Sequence, residues 1–347
     1  MARELFDMAK LFSFLAGWKR GVATSSPQGD RPAVAPVAGA TQTGSTAMIS
    51  QYDPQLAILL AGLCEQTYVQ YQNGPPPNNN GKIKVPPGYT QIASFTAPEI
   101  EPSSHPSQLR ALSTIDWQHI RSSAELRARY GSLGDVYFGF ALTSAKNNII
   151  ALRGTRTDFE WLIDGTMPQV PVPLLWYHHQ KFELARVHAG FLLLFGLLAD
   201  QVLAAAKNFN PSLPCFVTGH SLGAALAVLA SPTVNLLTAN QDVRMYNLAG
   251  PRVGNPAFVG AYGEFVPQSY RVVNLTDVVP FLPPTQIFGW DYAHVGEEWS
   301  FLNQSGNVTY NHGLISPNNY TAAGGKQVPT NAPRTYPVTG LGNNPAT

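Results

Sequence analysis

The chain has 347 residues, enough for one large domain with extensions or for two small domains. Hydrophobic residues make up 44% and charged residues only 12%, and the formal net charge is +1. Because nucleic-acid binding needs a strongly basic face, this balance argues against a nucleic-acid partner. Two cysteines, Cys64 and Cys215, do not provide a disulfide framework. We also expect no apolar run of the 18 or so residues that a membrane-spanning helix needs.

The first 47 residues are expected to precede the folded domain. Residues 1–20 place charged and apolar side chains at helical spacing and predict an amphipathic helix, whereas residues 21–47 have the composition of a flexible linker. Three interpretations of the helix stay open: a signal peptide, a helix that binds a membrane surface or another subunit, or an inert extension. Acidic residues near its start and Lys19-Arg20 after its short apolar core disfavour a signal peptide. A cytoplasmic or membrane-surface location is therefore favoured over secretion.

Alternating helical and strand patterns predict a mainly parallel α/β domain over residues 48–321. Its predicted elements are, in chain order, a helix over Tyr52–Gln70, strands over Tyr89–Phe95, Val136–Thr143 and Asn148–Arg153, a helix over His188–Asn208, and strands over Val243–Leu248 and Tyr270–Leu275. An insertion spans about residues 97–135, with a helix near Ser122–Tyr130, and residues 322–347 form a low-complexity tail. Ligand sites of such sheets lie at the carboxyl ends of the strands.

Residues 214–230 carry the most informative motif. An apolar strand that begins at Cys215 leads into Gly-His-Ser-Leu-Gly, residues 219–223, and an Ala/Leu-rich helix follows. This order predicts a nucleophile elbow with Ser221 at its apex. The tight turn strains the serine backbone and brings strand and helix so close that the flanking positions need glycine. The start of the helix points the backbone N–H of Leu222 at negative charge that forms beside the serine.

A serine hydroxyl attacks an ester only when a histidine takes its proton and a carboxylate holds that histidine. In elbow enzymes the chain order is serine, acid, histidine. Asp277 follows a predicted strand and so lies at the catalytic edge of the sheet, whereas Asp242 precedes a strand. Two histidines follow: His312, predicted in a loop, is favoured as the base, and His294 is expected in an outer strand with a structural role.

The oxyanion hole needs a second N–H donor from a neighbouring strand end. Gly154 and Thr155 end the predicted strand 148–153, where glycine permits close approach and threonine offers a backbone N–H and a hydroxyl. His220, inside the elbow, is expected to point into the protein and to be structural. The histidines at 178, 179 and 188 lack a third ligand type at suitable spacing, so no metal site is predicted.

Seven motifs in order make the set recognisable. They are Leu152-Arg-Gly-Thr155, Glu160-Trp161 with Asp164, Val187-His-Ala-Gly-Phe191, the elbow, Ala249-Gly-Pro-Arg-Val-Gly-Asn255, Val273-Asn-Leu-Thr-Asp277, and Tyr292-x-His-x-Gly-x-Glu298. Over about residues 50–320 the chain resembles the fungal-type (class 3) lipases, which have the α/β-hydrolase fold. The resemblance implies that Ser221, Asp277 and His312 form a catalytic triad. It also implies that Thr155 and Leu222 form the oxyanion hole, with no metal or organic cofactor.

The resemblance also implies a lid at about residues 156–170. The segment has apolar side chains among polar ones, and those we assign to the lid are Phe159, Trp161, Leu162 and Met167. Such a segment can close an apolar trench in water and open against lipid; the alternative is a fixed aromatic loop packed on the core. Downstream, Leu174, Leu175 and Trp176 either line an acyl groove or belong to the core.

The sequence therefore predicts a serine-dependent ester hydrolase, with a triacylglycerol lipase as the leading interpretation. A phospholipase A1 or a feruloyl-type esterase shares every catalytic motif, and a non-catalytic lipid-binding protein on the same fold is a remote alternative. The expected partners are a lipid or ester substrate and, transiently, a membrane or lipid–water interface. The oligomeric state is not indicated.

Overall fold

The computed structural model describes residues 52–98, 122–130, 134–154, 168–172, 182–304 and 311–314. The predicted helix at 1–20, the linker at 21–47, the tail at 322–347 and much of the insertion at 97–135 lie outside these ranges. The described residues belong to one compact unit of the chain.

Strands and helices alternate from Arg186 to Asn274, as the sequence predicted. The helices are α1 (Pro54–Gln72), α2 (Ser123–Tyr130), α3 (Ala189–Ala206), α4 (Leu222–Leu237) and α5 (Pro256–Phe265). The strands are β1 (Tyr89–Pro98), β2 (Asp135–Ser144), β3 (Asn148–Leu152), β4 (Gln169–Pro171), β5 (Arg186–His188), β6 (Cys215–His220), β7 (Val243–Leu248), β8 (Ser269–Asn274), β9 (Gln286–Ile287), β10 (Trp290–Asp291) and β11 (Glu297–Phe301).

The main sheet has the strand order β1-β2-β3-β6-β7-β8-β11. From β3 to β11 every neighbouring pair is parallel, whereas β1 and β2 add an antiparallel edge. This mainly parallel sheet with helices on both faces is the α/β-hydrolase architecture that the sequence predicted. Because the parallel strands end at one edge, the residues that follow β3, β6 and β8 meet there.

Both faces of the sheet are covered by apolar layers. Alternate side chains of the parallel strands point to opposite faces and so contribute to opposite layers. Ile150 and Val217 belong to an apolar layer that α3, α4 and α5 share. Ile149 and Phe216, the adjacent positions on the same strands, belong to a second layer that contains residues of α1. The sheet is thus held rigidly between two apolar layers, and its carboxyl edge is a stable platform for a site.

Helix α1 begins at a well-formed cap. The Asp53 carboxylate accepts the backbone N–H groups of Gln55 and Leu56, at 2.8 and 3.1 Å, and proline follows at the first helical position. The cap fixes the residue at which α1 begins. Because a helix is regular, its starting residue sets which side chains of its last turns face the site.

Helix α3 corrects one expectation. Its 18 residues have a mean hydropathy of 1.9, high enough for a membrane span, so the expectation that no apolar run approaches this length is wrong. Within the described residues it is the one helix of this kind, and 72% of it is buried inside the fold. Its side chains form part of the core layer shared with α4. The hydropathy of α3 is that of a core helix packed on most of its circumference.

Candidate active site

The elbow has the strained geometry that the motif predicts. Ser221 stands between β6 and α4 with φ 60° and ψ −125°, a conformation that costs a non-glycine residue about 1–3 kcal/mol. A Cβ atom on Gly219 would lie 2.1 Å from the carbonyl oxygen of Gly223, and one on Gly223 would lie 2.2 Å from that of Leu152. Both distances are far inside van der Waals contact, so the turn requires glycine at both positions.

The predicted acid and base are in contact. The Nδ1 atom of His312 lies 2.8 Å from Oδ2 of Asp277, and both side chains are buried. The other oxygen of Asp277, Oδ1, accepts the backbone N–H of Val279 at 3.0 Å. Because a carboxylate only accepts, Nδ1 of the imidazole carries the proton, and in the neutral ring Nε2 is left with its lone pair. That is the tautomer which a proton acceptor for serine needs.

A buried amide, Asn274, ties the two loops of this pair together. Its Nδ2 donates to the carbonyl oxygens of Asn303 and Asn311, each at 2.9 Å, and its Oδ1 accepts the N–H of Asn303 at 3.0 Å. Asn274 ends β8 three residues before Asp277, and Asn311 precedes His312. Asn274 had no role among the residues predicted from the sequence. The available signal was an amide at the end of a strand inside the motif that carries the acid.

His220 is buried, with 4% of its surface exposed, and both nitrogens of its ring have hydrogen-bond partners. Its Nε2 lies 2.8 Å from the carbonyl oxygen of His312, and its Nδ1 lies 2.9 Å from the hydroxyl of Tyr68 on α1. Burial, together with the neighbouring His312, lowers the pKa of His220 well below its ordinary value. A buried, bonded and neutral ring agrees with the structural role expected for it.

Gly154 lies against the elbow at the end of β3. A Cβ atom there would be 3.1 Å from Cβ of Ser221 and 2.6 Å from the carbonyl oxygen of His220. The loop after β3 therefore starts beside the serine. Leu222, the other predicted source of an oxyanion N–H, is the first residue of α4, where a helix leaves its N–H groups without intrahelical partners.

Ser221 itself is 1% exposed, and its Oγ makes no hydrogen bond to any residue that the structure describes. The Ser221–His312 hydrogen bond that the predicted triad would use is therefore not formed in this arrangement. The ring of His312 is nevertheless close, with its centroid 4.6 Å from that of His220, the residue before the serine. Catalytic hydrogen bonds in free enzymes are often long and tighten when substrate binds.

Several predicted site residues lie outside the described ranges. They are Thr155 of the oxyanion hole, the lid residues Phe159, Trp161, Leu162 and Met167, and the groove residues Leu174, Leu175 and Trp176. His178 and His179 also lie outside them. The lid and the second oxyanion donor therefore stay predictions.

The competing histidine, His294, has a structural position. It lies in the segment before β11 rather than in a strand, which corrects the expectation of an outer strand because pairing with β8 begins only at Glu297. Its Nε2 donates to the carbonyl oxygen of Pro280 at 2.7 Å. Burial first, and then the charges of Arg271 and Arg252, lower its pKa well below the ordinary value.

His188 caps α3, where its Nδ1 accepts the N–H of Phe191 at 3.4 Å, and burial lowers its pKa to about 3. Among the residues that the structure describes, no group of three histidine, cysteine or acidic side chains is arranged to hold a metal ion.

Comparison with known proteins finds a family match over part of this chain. Residues 149–287 match the sequence model of the family "Lipase (class 3)". A lipase of Rhizomucor miehei is 32% identical over 168 residues, which cover 47% of this chain and 44% of that protein. The chloroplastic phospholipase A1-Igamma2 of Arabidopsis thaliana is 30% identical, over 48% and 40% of the two chains. A structure of a Rhizomucor miehei lipase propeptide complex aligns with a TM-score of 0.41 at 29% identity, over 48% and 51% of the two chains.

The chain thus spans less than half the length of the curated relatives that it matches. The family match covers Ser221 and Asp277 and ends before His312. It also covers the motif from Leu152 and the strands that build the parallel part of the sheet up to β8. Residues 149–287, which hold the elbow and the strands around it, are therefore the part of this chain that is similar to the class 3 lipases.

Proposed function

We propose that this protein is a serine-dependent lipid ester hydrolase with Ser221 as nucleophile, His312 as general base and Asp277 as the carboxylate that orients it. The observation that carries the proposal is the 2.8 Å contact between Asp277 and His312 beside a strained Gly-x-Ser-x-Gly elbow. The matched family and the relatives named as lipases support the same reaction class.

In the proposed reaction, Oγ of Ser221 attacks the ester carbonyl carbon while Nε2 of His312 takes the hydroxyl proton. The carbonyl oxygen becomes negatively charged and accepts a hydrogen bond from the N–H of Leu222, and Thr155 is proposed to supply the second donor. Collapse of the tetrahedral species breaks the ester bond, and the imidazolium protonates the departing alcohol. Water, activated by the same imidazole, then releases the carboxylic acid and restores Ser221.

Asp277 acts through its position and its charge. Its carboxylate holds Nδ1–H of His312, which keeps Nε2 unprotonated before attack, and it stabilises the imidazolium that follows. Complete burial of Asp277 makes this attraction stronger than it would be in water.

The substrate is proposed to be a triacylglycerol, as in the leading interpretation of the sequence. The relative named phospholipase A1 favours a phospholipid as the second candidate, because its identity to this chain is nearly the same. Since Ser221 is 1% exposed, either substrate requires that the protein open before Oγ can attack. Initial rates on tributyrin and on a phosphatidylcholine of the same chain length distinguish the two candidates.

Labelling with a fluorophosphonate tests the proposed nucleophile. The wild-type protein is expected to be labelled, whereas Ser221→Ala is expected to be neither labelled nor active. Ser231→Ala is the matched control, because Ser231 is a buried serine on the helix that follows the elbow. Labelling of Ser221→Ala at the wild-type rate, or a wild-type protein that is folded and unlabelled, would contradict the proposal.

Alanine substitution of each downstream histidine tests the proposed base. His312→Ala is expected to lower kcat by three or more orders of magnitude with a folded protein. His294→Ala is expected mainly to lower the melting temperature, because its half-buried ring is a structural donor to the Pro280 carbonyl. A soluble and inactive His294→Ala beside an active His312→Ala would reverse the assignment.

A further inference from the structure

His220 joins the elbow to the main chain of the proposed base. Its Nε2 faces the carbonyl oxygen of His312 at 2.8 Å. Because a carbonyl oxygen only accepts, Nε2 must carry a proton, and in the neutral ring Nδ1 then has a lone pair. Nδ1 accepts from the hydroxyl of Tyr68, which lies 2.9 Å away. The two contacts together select one tautomer of His220.

Tyr68 also lies against the end of β3, while its hydroxyl donates to His220. The close approach is visible at Gly154, where a Cβ atom would lie 2.3 Å from the Tyr68 hydroxyl oxygen. The donors therefore point in one direction, from Tyr68 through His220 to the carbonyl of His312.

These hydrogen bonds connect three parts of the site that lie far apart in the sequence. Tyr68 and His220 are separated by 152 residues, and His220 and His312 by 92. Asp277 and Asn274 hold the His312 segment to the end of β8. The bond from His220 instead holds that segment to the elbow, so it bears directly on the separation of Ser221 and His312.

We propose that His220 and Tyr68 are positioning residues that set the place of His312 relative to Ser221. His220 does so as a donor to the His312 main chain, and Tyr68 does so by holding His220 in the donating tautomer. This inference rests on the proposed function. Without the Tyr68 hydroxyl, His220 is free to adopt the other tautomer, which turns a lone pair toward the His312 carbonyl and pushes the base away.

Burial supports the direction of these bonds. His220 is buried and Tyr68 is half-buried, and the pKa of His220 is lowered, chiefly by desolvation. A neutral ring has one donor and one acceptor, which is what the two contacts need. A misplacement of a catalytic group by about 1 Å costs up to about a hundredfold in rate, and this sets the scale of the expected effect.

The first test compares Tyr68→Phe with Tyr71→Phe. Both changes remove one hydroxyl from the same helix, and Tyr71 lies one turn further on, with its ring against the Arg153 guanidinium. On a soluble ester such as p-nitrophenyl butyrate, Tyr68→Phe is expected to lower kcat by about 10- to 50-fold with KM within twofold. Tyr71→Phe is expected to keep kcat within twofold. Equal kcat values for the two variants would overturn the role of Tyr68.

The second test separates positioning from stability at His220. His220→Gln keeps an N–H donor near the place of Nε2, whereas His220→Leu fills the same buried space without a donor. We expect kcat of the glutamine variant within about tenfold of wild type and kcat of the leucine variant lower by about a hundredfold, although the leucine variant melts at the same or a higher temperature. Activity that follows the melting temperatures instead would show a structural role only.

Fluorophosphonate labelling of the same proteins keeps the two proposals distinguishable. An unlabelled, folded wild-type protein defeats the proposed function. A labelled, active wild-type protein whose Tyr68→Phe and His220→Leu variants react at the wild-type rate leaves that function standing and defeats the positioning inference alone.

Discussion

Replacing Asp277 by asparagine isolates the electrostatic and tautomeric part of the proposed mechanism. Oδ1 of Asp277 accepts the backbone N–H of Val279, so the oxygen of an asparagine must stay on that side. Its NH₂ group then faces Nδ1 of His312, where the carboxylate oxygen now lies at 2.8 Å. An NH₂ group only donates, so the imidazole must turn its Nδ1 lone pair toward it and carry its proton on Nε2.

The expected loss is large in rate and small in stability. Protonated Nε2 cannot take the serine proton, and the negative charge that stabilises the imidazolium is gone. Loss of the correct tautomer costs about 10³–10⁴ in kcat, or about 4–5.5 kcal/mol of transition-state stabilisation. The contact of residue 277 with Val279 survives unchanged, and its contact with His312 survives with donor and acceptor exchanged. The free energy of unfolding should therefore change by only about 1 kcal/mol.

The assay pairs initial rates on p-nitrophenyl butyrate with urea unfolding for the wild type, Asp277→Asn and Asp291→Asn. Asp291 is an exposed aspartate that pairs with Gln286, so the same change there should leave both measurements near wild type. A kcat for Asp277→Asn within tenfold of wild type would refute the tautomer argument. A loss of several kcal/mol of stability without a matching loss of activity would refute it equally.

Three further perturbations address the elbow, the buried amide of Asn274 and the capping histidine His188. Gly223→Ala brings a Cβ within 2.2 Å of the Leu152 carbonyl oxygen; it should cost about 3 kcal/mol or prevent folding, while Gly263→Ala, with open space around it, should be neutral or stabilising in thermal melts. Asn274→Asp sets a carboxylate against the two carbonyl oxygens to which the amide now donates, so both the melting temperature and kcat should fall. Unchanged values would show that Asn274 does not hold the two loops together. The pKa of His188 is about 3 in the folded protein and 6.5 unfolded, so between these values the unfolded state binds the extra proton and stability falls as pH falls. His188→Asn keeps a capping acceptor and should reduce the loss measured by urea unfolding between pH 6.5 and pH 4.5 by about 2 kcal/mol, since each pH unit carries about 1.4 kcal/mol.

Some of the site follows from short, contiguous stretches of chain. The elbow was predictable because the strand, both glycines and the helix lie within about twenty residues, and the close contact of Gly219 and Gly223 is local. Asp277 was predictable because a residue after a parallel strand must emerge at the carboxyl edge of the sheet. The type and order of the main strands and helices were predictable for the same reason, since hydrophobic periodicity is written into each segment.

The environment of each predicted residue was decided by tertiary structure. The amide of Asn274 bonds a carbonyl 37 residues away, and the Tyr68 hydroxyl meets a ring 152 residues away. In the sequence, both side chains look like ordinary members of a strand end and a helix. The apolar run of α3 likewise acquires its meaning only from the layers packed around it.

By itself the sequence determined the fold class, the tight turn at Ser221 and the position of Asp277 at the carboxyl edge of the sheet, because local sterics and strand direction govern them. The tertiary structure alone decided that Asp277 and His312 touch, that Ser221 is enclosed, and that His220 reaches the base's main chain. The reason is physical: hydrogen bonds between buried groups depend on distances of a few tenths of an ångström, and these are set only when separate segments pack together.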